Sequence, residues 1–332
     1  MVLHELENRV NKSIAEIFHF VAGNSTGSII ALGLTVSERD NKSKPKFKPK
    51  DLVELYEKKR YEIFERTFLS HIPHINFLTD LFKDKYGVDK FEKLLYDKFS
   101  YEDPSNKNTK VPCKFRDIVN NVNVLIPSYN ITTKEEVFFN NFLKHDSPDY
   151  TDYAIADVVR ASTAAPTYFP AKQIIENKRP NNYIDGGIFM NNPVFEIYLK
   201  AKQDEHDANV EYVVCSLGTG IFKGETFNSL ADKGELKWAA PLVSLMMDAS
   251  CELAENNFKE FVNPTHNNKA KIIKDADYYR IQATLKKEIP LDAVDDQSIE
   301  YLKEAAKEAI GGKHFDDLVN KIKKYKPWEQ SS

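Results

Sequence analysis

The chain has 332 residues, long enough to bury a sizeable core, with 29% charged residues and a formal net charge of −4. That balance excludes nucleic acid as the main partner, because a polyanion binder needs a concentrated basic face. Three widely separated cysteines, Cys113, Cys215 and Cys251, match no metal or redox spacing; they fit a reduced compartment and packing roles.

The N-terminus, MVLHELENRVNKSIAEIF, is charged and helical in pattern, unlike a secretory leader, and Leu3, Leu6 and Val10 share one helix face. The most apolar window runs from Phe18 to Val36 but is broken at its centre by Gly, Asn, Ser and Thr, which argues against a transmembrane segment. The expectation is a cytoplasmic or peripheral membrane protein that meets lipid only at a surface.

Ile17 to Ala22 is a near-continuous apolar run that reads as a buried strand, Gly23 to Gly27 as a turn, and Ser28 to Val36 as a buried helix. Residues 37–50, SERDNKSKPKFKPK, read as an exposed loop; Asp51 caps a helix carrying Leu52, Leu55 and Tyr56. Helical pattern continues through Tyr86 and from Val88 to Phe99, so residues 37–105 are taken as a helical insertion or cap. Strands are expected at Val122 to Pro127 and Val137 to Phe139, and a helix from Ile155 to Ala164. Tyr183-Ile184 leads into Asp185-Gly186-Gly187, and Asn191-Asn192-Pro193 starts a helix. Further strands are expected at Val210 to Leu217 and Tyr278 to Ala283, with helices at 237–260, 297–310 and 314–325. Alternating strands and helices argue for a largely parallel sheet covered on both faces.

Ser25 lies in Gly23-Asn24-Ser25-Thr26-Gly27, a G-x-S-x-G pattern with a strand before it and a helix after it. Flanking glycines allow a sharp strand-to-helix bend, which exposes the hydroxyl at the positive end of the following helix. A serine hydroxyl still needs a base within hydrogen-bond reach. A Ser–acid–His hydrolase would need several earlier strands, yet only 24 residues precede Ser25. The downstream histidines of such a triad, His266 in NPTHNN and His314 in GGKHFDD, read as solvated residues, and His19 as a core residue. The other scheme is a Ser–Asp dyad with Asp185, followed by Gly186 and Gly187. An aspartate is a weak base at its ordinary pKa of about 3.9, so burial must raise it.

With those pieces in order the chain resembles the patatin-like phospholipases. The resemblance rests on FVAGNSTG, ASTAAPTYFPA at 161–171, YIDGG at 183–187 with NNP at 191–193, and SLGTG at 216–220, supported by LIPSYN at 125–130. It spans about residues 1–305 and implies a three-layer α/β/α fold, within one domain over 1–325 and a tail at 326–332. It also implies hydrolysis of lipid acyl esters (phospholipase A or lysophospholipase type) through an acyl-enzyme, with Ser25 as nucleophile, Asp185 as general base, and no metal or cofactor. Asn24 and Ser28 depart from the residues usual there, at positions expected to carry no chemistry. Family members also begin with a strand and a glycine-rich DGGG-x-[RK]-G loop that forms the oxyanion hole. Here no glycine precedes Gly23, and Met1-Val2-Leu3 aligns just after that loop. The expectation is a chain shortened relative to the family: either a longer native form starts upstream, the reading favoured because the downstream motifs are intact, or the chain as it stands is catalytically weak or dead. It would leave neighbouring strands with an unpaired edge and keep Thr26 N–H as one oxyanion donor, where losing a single donor costs about a hundred- to a thousandfold in rate.

The expected partner is a phospholipid or other lipid ester at a membrane surface, with nothing in the pattern setting an oligomeric state. Residues 41–60 hold eight Lys/Arg against three Asp/Glu, with Phe47 set among the lysines, a pattern that fits either a solvated loop or a patch that docks on anionic lipid. Tyr168 and Phe169 fit an acyl channel or ordinary core. The alternative function is a catalytically inactive remnant of the fold that binds lipid or protein.

Overall fold

The computed structural model describes residues 1–63, 88–142, 148–204, 210–222, 235–262, 276–290 and 292–325. Its helices are α1 (Val2–Val10), α2 (Ile14–Ile17), α3 (Thr26–Thr35), α4 (Pro49–Ile63), α5 (Asp89–Lys98), α6 (Ile155–Ser162), α7 (Gly187–Met190), α8 (Val194–Asp204), α9 (Glu235–Val262), α10 (Asp296–Ile310) and α11 (Lys313–Lys324). The strands are β1 (Phe20–Ala22), β2 (Ser100–Glu102), β3 (Lys110–Pro112), β4 (Asn123–Asn130), β5 (Glu135–Asn140), β6 (Lys172–Glu176), β7 (Arg179–Asp185), β8 (Tyr212–Leu217), β9 (Ile221–Phe222), β10 (Ala276–Ile281) and β11 (Thr284–Leu285).

The expected largely parallel sheet is corrected to a mixed one: a five-stranded sheet is built around β4, and the antiparallel pairs β4–β5, β4–β7 and β6–β7 leave only β1 parallel to its neighbour among these strands. Parallel pairing joins β1 to β4, β8 to β10 and β9 to β11, while β4 pairs antiparallel with β5 and β7, and β7 with β6. Because β5 runs along one edge of β4 from Leu125 to Asn130, both β1 and β7 must use the other edge. They meet on it end to end, β1 reaching Leu125 through Ala22 and β7 reaching Ser128 through Asp185.

The three layers can be read from alternating side chains. On β8 and β10, Val213, Cys215, Tyr279 and Ile281 pack against Phe315, Leu318 and Val319 of α11. The intervening Tyr212, Val214, Ala276 and Tyr278 pack against α8 and α9 through Val194, Tyr198, Phe258 and Val262. Period-two alternation with both sets apolar is what a sheet covered on two faces requires. Helix α3 is apolar on all sides, giving Ile29, Ala31 and Leu32 to one core and Leu34 to another.

Several local expectations are corrected. Ile17 closes a helical turn, α2, because Ser13 and Glu16 form a capping box ahead of the strand. The proposed insertion over 37–105 lies partly outside the described residues; within them, Phe47 points inward, edge to face with Phe99 at 6.0 Å, and packs on two apolar cores. The Lys46 ammonium is committed to the carbonyls of Lys98 and Ser100, capping the end of α5, and Lys42 and Lys44 pair with Asp117 and Glu38. The loop therefore does not offer Phe47 or Lys46 to a membrane. Phe169 is core, stacked on Phe91 at 5.6 Å. Among the described residues no helix is long and apolar enough to cross a membrane.

Candidate active site

Ser25 sits between β1 and α3 with φ 52 and ψ −126, a sparsely populated conformation for a residue with a side chain, costing roughly 1–3 kcal/mol. The bend is tight enough that a Cβ on Gly23 would lie 2.0 Å from the Gly27 carbonyl oxygen, so only glycine fits there. Hydrogen bonds hold the bend, among them Ser28 N–H to Ser25 O at 2.8 Å. Gly27 N–H donates to Asn24 O at 2.7 Å, Ser28 Oγ donates to Ser25 O at 2.6 Å, and Ser25 N–H donates to Ser162 Oγ at 3.2 Å. Ser162, from the end of α6, passes the chain on by donating to Pro127 O at 2.8 Å. Thr26 opens α3, so its N–H belongs to the turn in which a helix has no internal acceptor. Its hydroxyl accepts from Tyr56 Oη of α4 at 3.0 Å.

Asp185, the last residue of β7, is fully buried. Its Oδ1 accepts from Gly187 N–H at 2.7 Å and from Asn24 Nδ2 at 3.2 Å. Burial pushes its carboxyl up to about 6, and the Ser25 hydroxyl, Gly187 N–H and Asn24 amide pull against that rise. Ser25 is thus close enough to influence the carboxylate, yet Asp185 Oδ2 has no partner at full hydrogen-bond geometry. That combination describes a near, loosely aligned contact, as catalytic pairs show before substrate binds. Among the described residues no charged side chain acts on Asp185, and burial makes it a stronger base than an exposed aspartate.

Ser25 and Asp185 are therefore brought together by the fold. Gly186 is a glycine because the Pro127 backbone and the Asn24 amide lie on it, and at Gly187 the Asn24 amide and Met247 crowd the same space. A Cβ at Gly186 would approach Asn24 Oδ1 to 2.8 Å and Pro127 C to 2.7 Å, and one at Gly187 would approach Asn24 Nδ2 to 2.8 Å. Asn24, expected to be a bystander, is instead the direct partner of Asp185. No signal within the elbow marks it, because its partner is 161 residues away.

Of the candidate histidines, the two that are described lie away from the pair. His314 is exposed on α11, His266 lies outside the described residues, and His19 lines a small cavity with Val10, Ile17 and Tyr325, at the opposite end of β1 from Ser25. No histidine is among the groups acting on Asp185. Beside the pair, Val243 and Met247 of α9 pack with Ala165 and Tyr168 into an apolar wall, and Met247 Cε would meet a Cβ on Gly187 at 2.9 Å.

The sequence profile of the family described as Patatin-like phospholipase matches residues 1–198. Among curated proteins, the chain is 24% identical to Patatin-like protein 2 of Arabidopsis thaliana, over 85% of this chain and 71% of that protein. It is 25% identical to Patatin-like protein 4 of the same plant, over 96% and 78%, and 24% identical to Patatin-07 of Solanum tuberosum, over 76% and 64%. With the profile covering more than half of its residues, and with the elbow and the Asp-Gly-Gly turn facing each other in a three-layer α/β/α fold, the chain belongs to the patatin-like phospholipase family.

Proposed function

We propose that this protein is a lipid acyl hydrolase of the phospholipase A or lysophospholipase type, working through a Ser25–Asp185 dyad and an acyl-enzyme. Ser25 Oγ attacks the ester carbonyl carbon while Asp185 takes the hydroxyl proton on Oδ2. The tetrahedral intermediate collapses, the ester C–O bond breaks, and the departing alcohol receives that proton. Water then attacks the acyl-enzyme with Asp185 again as base, releasing the fatty acid and restoring the serine. Developing negative charge on the carbonyl oxygen falls at the positive end of α3, near Thr26 N–H. The wall of Ala165, Tyr168, Val243 and Met247 suits the acyl chain.

The observation that carries this reading is one buried oxygen without a partner, Asp185 Oδ2, on a carboxyl that the Ser25 hydroxyl influences. Leaving a buried carboxylate oxygen unpaired costs free energy, and such a cost is characteristic of sites that perform chemistry. The test is covalent labelling with a fluorophosphonate alongside hydrolysis of a lysophospholipid and a short-chain ester. Wild-type protein is expected to label and turn over, Ser25→Ala to lose both by more than roughly a thousandfold, and Asp185→Asn to lose most of both. Labelling that survives Ser25→Ala removes the nucleophile assignment. A folded wild-type protein that binds lipid without hydrolysing any ester makes it a binding remnant instead.

A further inference from the structure

We propose that Asn24 is a positioning residue, whose side-chain amide occupies one oxygen of the Asp185 carboxylate and so turns the other toward Ser25. The inference rests on the dyad reading above and adds a residue to it.

The geometry comes from the two turns. The elbow after β1 and the turn after β7 face each other across Pro127 of β4, and the Asn24 side chain fills the space between them, nearly buried. Its Nδ2 reaches Asp185 Oδ1 at 3.2 Å and Asn191 Oδ1 at 3.5 Å. Both acceptors are oxygens, which fixes which end of the amide points that way; reversing it would set oxygen against a carboxylate. With Gly187 N–H at 2.7 Å as second donor, Oδ1 is held from two sides and Oδ2 is the oxygen left without a partner. Fixing one oxygen of a carboxylate fixes its plane, and catalytic rates are sensitive to such orientation.

Among the described residues no other side chain donates to Oδ1. The elements around Asp185 present Pro127 and Ser128 from β4, Asn24 and Ser25 from the elbow, and Met247 from α9. None of these is ionisable near neutral pH. Removing the amide therefore removes one of two donors to Oδ1 and leaves no charge to replace it.

The experiment compares wild type, Asn24→Leu and Asn24→Ala. Leucine keeps the bulk and the dryness of the site, whereas alanine lets water in, so an effect common to both belongs to the lost donor. Two readouts are taken: the titration of the Asp185 carboxyl by carbon-13 NMR of labelled aspartate, assigned with Asp185→Asn, and the pH dependence of fluorophosphonate labelling. Both variants are expected to lift the Asp185 midpoint by about one pH unit, the worth of one hydrogen bond to a charged acceptor, and to slow labelling at neutral pH by roughly tenfold. If Asn24→Leu does not fold, Asn24→Ala carries the titration. A midpoint unchanged in the folded variants overturns the inference, Asn24 then being a filler of space. If the midpoint moves but wild type neither labels nor hydrolyses, the positioning stands and the acyl-hydrolase reading falls. If wild type labels and the midpoint stays, only the positioning falls.

Discussion

Ser162 Oγ accepts the backbone N–H of Ser25 at 3.2 Å and donates to Pro127 O at 2.8 Å. One buried hydroxyl thereby ties the elbow to β4, the strand that also carries Asp185 on its edge. Removing it leaves a buried N–H and a buried carbonyl each without a partner. Ser162→Ala is expected to destabilise the protein by about 1–3 kcal/mol in urea unfolding and to lower kcat more than it raises KM, because the serine loses its support while the acyl wall is untouched.

Activity should follow the ionisation of Asp185. The base must be unprotonated, and burial holds its pKa at about 6. Hydrolysis is expected to rise through that region and level off above it, since among the described residues no histidine acts on the carboxylate to shape a second limb. The measurement is kcat/KM against pH. An acid limb centred near 4, the ordinary carboxylate range, would mean that the base is elsewhere or exposed.

Stability should run the other way. Folded protein keeps the Asp185 proton up to about 6, whereas the unfolded chain releases it near 3.9. Between those values the folded state binds more protons, so the residue's contribution falls as pH rises through the window and is least favourable above it. Asp185→Asn keeps an acceptor for Gly187 N–H and Asn24 while removing the buried charge. It is expected to unfold at higher temperature at pH 7, by on the order of 1–3 kcal/mol, with the advantage gone below about pH 4.

The two glycines of the elbow should differ. A methyl on Gly23 meets the Gly27 carbonyl oxygen at 2.0 Å, whereas one on Gly27 meets nothing within 4 Å. Gly23→Ala is expected to lose about 3 kcal/mol or to fail to fold. Gly27→Ala, in the first turn of α3, is expected to gain about 0.4–1 kcal/mol through a less flexible unfolded chain. Thermal melts of the pair separate the roles of two residues that the motif treats alike.

Much of this site was legible in the sequence because its parts are local. A strand, a glycine-flanked serine and a helix within about 20 residues fix one half, and Asp-Gly-Gly at a strand end fixes the other. The cap at Asn192 was legible for the same reason, and its side chain accepts from Val194 N–H at 3.3 Å. What was missed depends on distant partners or short exposed segments. Asn24 gains its role only when β7 arrives. Strands β2, β3 and β6 are short, with little apolar pattern and β3 fully exposed, and α7 is a single turn concealed behind a pair of glycines that read as a bend. Phe47 was misjudged because its neighbours in sequence are lysines while its neighbours in space are aromatic and aliphatic.

Ala22 and Asp185 hang from the same side of β4, opposite Leu125 and Ser128. Any twisting or bowing of that shared rail moves the hydroxyl and the carboxylate as one body, so ordinary breathing of the sheet leaves their separation intact. A slip of either strand would part them, because the smallest slip inverts every side chain of that strand. A register error therefore abolishes the pair where the loss of a supporting hydrogen bond only weakens it.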